Sequence, residues 1–153
     1  MENDVFETLL EEIITVMTAH ETSLTEDFFE TLLNRLVSYG YELQEGDCFE
    51  ICFNTSKVEN HIKNHCNINT VPEGLYEVAI DRICGEFFFG RRQTGLLEIA
   101  SLDLDGALSS IKEGDTQVNF ASDDSDDAKF SVLVQTLRTS GEGDLVCYRK
   151  LKW

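Results

Sequence analysis

Proline is almost absent from this chain, lysine and arginine are scarce, and no apolar run is long. A single proline among 153 residues, beside ten glycines, excludes a Pro-rich linker protein. Stretches such as Ile13-Ile14-Thr15-Val16-Met17 fall far short of the roughly 20 apolar residues that cross a bilayer, so no membrane span is expected. The N-terminus, Met1-Glu2-Asn3-Asp4, is acidic where a signal peptide begins basic, and export by that route is not expected. Five cysteines, an odd number without tight spacing, fit free thiols in a reducing cytoplasm better than a disulfide framework. With only 12 Lys and Arg against 29 Asp and Glu, the chain also lacks the cations by which proteins wrap duplex DNA.

What is present is an ordinary globular composition, 42% apolar and 27% charged, in a chain sized for one domain. Folding at this length buries about 68–70% of the unfolded surface, enough for a core without staples. The net charge of −17 is unevenly spread. Residues 1–50 carry 13 acids and one base, residues 51–102 are nearly balanced, and residues 103–147 carry ten acids and three bases. The last six residues hold three bases and no acid. Such a layout keeps monomers apart, and suits contact between one molecule's basic end and an acidic surface elsewhere.

Apolar spacing predicts a mainly α fold, a small bundle of about five helices. Val5, Phe6, Leu9, Leu10, Ile13, Ile14 and Met17 form one stripe over residues 4–19. Thr25 caps a second helix striped by Phe28, Phe29, Leu32, Leu33, Leu36 and Val37, and Gly40 stops it. A third runs from about Asp47 to Cys66 with Cys48, Ile51, Cys52, Thr55, Val58, Ile62 and Cys66 on one face, and Asn67 to Pro72 forms a turn. A fourth, Leu75 to Phe89, is apolar around so much of its circumference that it should be central, with residues 90–95 ending it. Residues 96–110 carry only a weak helical pattern, broken by Asp103, Asp105 and Gly106. Residues 111–120 alternate about Gly114-Asp115 and predict a β-hairpin insertion at about 110–121, which needs a neighbour to lean on. The acids at 123–127 open a helix from about Ala128 to Thr139. Gly141 and Gly143 free an extended C-terminal tail, dividing the chain into a helical domain, 1–140, and a docking tail, 141–153.

Catalytic and metal chemistry fare poorly. A cysteine nucleophile activated by His61 or His65 conflicts with Cys48, Cys52 and Cys66 lying on the apolar helix face, where burial raises thiol pKa. A zinc site from Cys48, Cys52, His61 and His65 fails because 13 residues of helix separate the pairs by about 20 Å. Two histidines completed by Cys66 or an outside carboxylate remain, without the usual ligand spacing. Asp123, Asp124, Asp126 and Asp127 lack the alternation and closing glutamate of a calcium loop. Arg91 and Arg92 have a sufficient reading as cations at a helix C-terminus. No enzyme, cofactor or metal is expected. The unexplained feature is the tail, where Tyr148, Leu151 and Trp153 alternate with Arg149, Lys150 and Lys152. These are interface-anchor types, in a segment that docks either on its own bundle or on a partner.

The order of Val58-Glu59-Asn60-His61-Ile62-Lys63-Asn64-His65-Cys66-Asn67, Val71-Pro72-Glu73-Gly74-Leu75 and Cys84-Gly85-Glu86-Phe87 resembles head-tail connector (adaptor) proteins of tailed bacteriophages and related prophages. Arg91-Arg92-Gln93-Thr94-Gly95, Ser110-Ile111-Lys112-Glu113-Gly114-Asp115-Thr116 and Tyr148-Arg149-Lys150-Leu151-Lys152-Trp153 extend the resemblance over roughly residues 45–153. It implies a structural subunit of the virion neck, assembled from host cytoplasm as a homo-oligomeric ring of about twelve copies. The ring would sit between the portal protein and a tail-side stopper or completion protein, with DNA passing through its hole without specific binding. It assigns Leu145, Tyr148, Arg149, Leu151 and Trp153 to the portal, and Ile111, Lys112, Thr116, Val118 and Phe120 to neighbouring subunits or the tail. An acidic lining would let the duplex slide. Two other classes compete. A small acidic regulator, mimicking DNA toward a basic host protein, would stay monomeric or dimeric and bind in a salt-dependent way; a Cys/His enzyme would carry one hyperreactive thiol.

Overall fold

The structure, a computed structural model, describes residues 2–112 and 125–151. Seven α-helices run through the described residues: α1 (Glu2–Ala19), α2 (Glu26–Ser38), α3 (Cys48–Cys66), α4 (Tyr76–Gln93), α5 (Leu104–Lys112), α6 (Asp126–Arg138) and α7 (Glu142–Tyr148). Short 3-10 turns at Glu45–Asp47, Glu73–Leu75 and Ile99–Ser101 connect them, and no strand occurs among the described residues. The apolar stripes meet in one core. α4 is the central helix, packed against α2, α3 and α6, while α1 closes on α2 and α3. None of the helices among the described residues is long and apolar enough to cross a membrane.

Local chemistry sets most boundaries. The Thr25 hydroxyl accepts the Phe28 N–H at the start of α2, and Gly40 stands past its end at φ +87°. Asn67 ends α3 in the left-handed region at φ 55°, which its short polar side chain tolerates. Ser125 caps α6 by accepting the Ala128 N–H.

Five expectations need correction. Seven helices replace about five. The chain at Gly90-Arg91-Arg92-Gln93 continues α4, because Arg91 is drawn into the core, and Gly95 at φ +73° makes the stop. Asp103 and Gly106 start a helix where they were read as breaks: the Asp103 carboxylate accepts the Gly106 N–H at 3.1 Å. That helix takes in Ile111 and Lys112, so the hairpin is not supported there; the rest of it, with Thr116, Val118 and Phe120, lies outside the described residues. Finally, the tail is not extended from Gly141: α7 occupies its first half.

Contact between α4 and α6 depends on Gly85. A Cβ there would lie 2.8 Å from Leu137 Cβ and 2.9 Å from the Arg138 backbone nitrogen. Gly85→Ala must therefore push the two helices apart, at a cost of about 1–3 kcal/mol. Alanine's helix propensity offsets up to about 1 kcal/mol. A net loss in unfolding free energy is expected from urea titration; a gain would mean that α4 and α6 do not approach so closely.

Candidate interaction surfaces

The C-terminal segment is held by its own bundle as far as Lys150. Gly141, at φ +71°, lets the chain turn against Val78, where any Cβ would collide. Buried Arg82 donates to the Ser140 carbonyl at 2.7 Å and to Glu142 at 2.9 Å, fixing the start of α7. Leu145 is fully buried, and the Cys66 thiol donates to its carbonyl at 3.3 Å. Tyr148 lays its phenol against Gly74. The Lys150 N–H then donates to the Cys66 carbonyl at 2.7 Å, and the Asn67 side-chain amide donates to the Lys150 carbonyl at 2.8 Å. Past this anchor Leu151 is 75% exposed.

These positions sort the residues that the sequence assigned to partners. Leu145 belongs to the protein's own core and presents nothing outward. Tyr148, Arg149 and Leu151 are exposed together at one end of the molecule, and Trp153 lies outside the described residues. Ile111 packs partly against the core. A second exposed apolar feature escaped the sequence reading. Phe49 (77% exposed) and Phe53 (61%) stack on each other one turn apart on α3, with ring centroids at 6.3 Å. Their spacing opposite Ile51 and Cys52 was the available signal.

The cysteines and histidines are arranged as packing groups. Burial pushes the Cys48, Cys66 and Cys84 thiols upward and Cys52 up to about 12, which keeps them protonated. Cys147 is exposed. His61 and His65 stack at 5.8 Å, and burial, followed by the Arg82 and His65 charges, holds His61 below its ordinary value. Among the described residues no three His, Cys, Asp or Glu side chains gather as a metal site.

Three ionic clusters brace the surfaces from within. Arg91 reaches fully buried Asp47 and accompanies Glu50 at 3.4 Å. Glu59 of α3, 5% exposed, accepts from Thr22, from the Ser23 N–H and hydroxyl, and from Lys63. Glu86 of α4 takes Lys57 of α3 at 3.0 Å and Arg138 of α6 at 3.2 Å. Arg138 also lies 4.1 Å from the centre of the Phe89 ring. Arg92, read as a helix-end cation, bridges to Asp127 at 2.8 Å. No family model, no curated protein and no solved structure matches the chain.

Proposed function

We propose that this protein is a structural subunit of a tailed-phage neck, a connector that assembles as a ring between the portal and the tail-side completion protein. What supports this reading most is where its resemblance-bearing segments fall. Cys66-Asn67, Gly74 and Tyr148-Arg149-Lys150 are far apart in sequence, yet they meet at one end of α3. Those segments thus form one device: a base that fixes Tyr148 to Lys150, at the start of a short basic and apolar end, on an acidic protein. The acids of the body serve the same role in another way, since a negative channel wall repels phosphates and lets duplex DNA slide. In this role the subunit works in the virion neck and makes or breaks no covalent bond.

Removing residues 151–153 is the direct test. These lie beyond the Lys150 anchor, and Leu151 is largely exposed, so thermal stability should change by less than about 0.5 kcal/mol. Binding to purified portal protein, read by co-sedimentation and negative-stain imaging, should be lost. A truncated chain that binds portal as well as the parent would sink the portal assignment. A monomer that ignores portal and instead binds basic proteins in a salt-dependent way would favour the DNA-mimic reading.

A further inference from the structure

An acidic groove of about 860 Å³ lies between the start of α1, the end of α2 and the loop at residues 40–45. Val5, Phe6, Val37 and Leu43 supply its apolar wall, Glu42 and Glu45 stand exposed at its rim, and no Lys or Arg among the described residues lines it. A groove of that volume accommodates two or three large side chains. Its charge and its apolar wall complement one segment of this chain above all, the terminal Arg149-Lys150-Leu151-Lys152-Trp153.

The tail of a given molecule cannot reach the groove of the same molecule. Glu45 opens the 3-10 turn that leads directly into Cys48, so the groove sits at the N-terminal end of α3. The tail is pinned to Cys66 and Asn67 at the other end. α1 runs beside α3 in the same direction, with Met17 near Ser56 and Ser23 bonded to Glu59, which places the start of α1 at the groove's end as well. From Cys48 to Cys66 the helix rises about 27 Å, whereas three residues beyond Lys150 span at most about 11 Å. The occupant must come from another molecule.

We infer that residues 151–153 of one copy seat in the α1/α2 groove of the next. The contact joins different surfaces on its two sides, so it propagates head to tail and closes into a ring when the rotation permits. It names the joint between copies of the proposed connector before they meet portal, and rests on that reading for its biological role. Because the same residues are those given to the portal, portal and neighbouring groove compete for them, and the joint is read in the absence of portal.

The test uses the full chain in sedimentation velocity, with circular dichroism as the folding control. The parent should self-associate, more weakly as salt rises. Glu42→Lys/Glu45→Lys, a groove variant, and Lys150→Glu/Lys152→Glu, a tail variant, should each self-associate about tenfold or more weakly. Mixing the two should restore association, since the basic tail of the first meets the acidic groove of the second, and the acidic tail meets the basic groove. A monomeric parent, variants that associate like the parent, or a mixture that does not recover would each overturn the inference. Portal binding takes no part in this measurement, so loss of the portal assignment and loss of the joint are separate outcomes.

Discussion

Arg91→Ala should lower the thermal midpoint by roughly 6–20 °C, corresponding to a loss of about 3–5 kcal/mol. The cause is the carboxylate that the substitution strands. Asp47 is fully buried, and its oxygens accept the Tyr41 hydroxyl at 3.0–3.1 Å and the Gln44 N–H at 2.8 Å. Arg91 supplies the only cation paired with it among the described residues. The guanidinium also donates to Tyr41 at 3.2 Å and lies 5.4 Å from the centre of the Phe87 ring, so alanine removes packing together with charge. Taking one partner from a buried ion pair costs far more than the pair itself is worth. The double variant Arg91→Met/Asp47→Leu should therefore recover much of the loss. Melting followed by circular dichroism reads both effects. A shift below about 2 °C for Arg91→Ala, the size of an ordinary surface substitution, would mean that the pair is open to water.

Glu59→Ala should cost about 2–3 kcal/mol at neutral pH, because it leaves the Ser23 N–H and two hydroxyls without the acceptor that ties the α1–α2 connection to α3. The loss should also depend on pH. Burial alone would raise the Glu59 carboxyl, but hydrogen bonds from the Ser23 N–H, Thr22, Lys63 and the Ser23 hydroxyl outweigh it, and the net position is below the ordinary 4.5. Glu86 is lowered in the same way by Lys57 and Arg138 against its own burial. A carboxyl held lower in the folded than in the unfolded chain contributes stability that is complete above pH about 4.5 and is lost as pH falls through the folded value. Asp81 has the opposite sign. Burial raises it from 3.8 despite Arg35, so its contribution favours folding at low pH and is lost as pH rises through its folded value. Urea titrations at several pH values should show the parent losing stability on the acid side, with a shallower fall in Glu59→Ala. Parallel curves for the two proteins would remove Glu59 as the source of the acid sensitivity.

Both residues show how local pattern and final burial part company. Arg91 follows a glycine near a helix end and precedes a second arginine, which reads as a cation facing water. Glu59 sits next to Asn60 in a polar stretch of α3. Each is buried because a group from elsewhere in the chain meets it: Asp47 comes from 44 positions away, and Ser23 from 36. Long-range partners of that kind leave no periodic trace. Leu145 tells the same story in reverse, since a leucine in a glycine-flanked segment looked available to a partner and is instead consumed by the protein's own core.

Where partners were local, reading the residues succeeded. The stripes of α1 to α4, apart from Val37, which the structure leaves exposed, the Thr25 cap, the stop at Gly40 and the turn that begins at Asn67 all depend on interactions within a few positions. α5 was missed because an Asp cap and a glycine in the first turn resemble a loop until the backbone closes on the Asp103 carboxylate. The amino-acid order by itself determined that this is a helical, strongly acidic chain with one basic end, since helix periodicity and charge are properties of neighbours along the backbone. Only the tertiary structure decided that the acidic groove and the basic end lie at opposite ends of α3, because that distance is set by how the helices pack. It is the same packing that carries a short tail out of reach of its own groove.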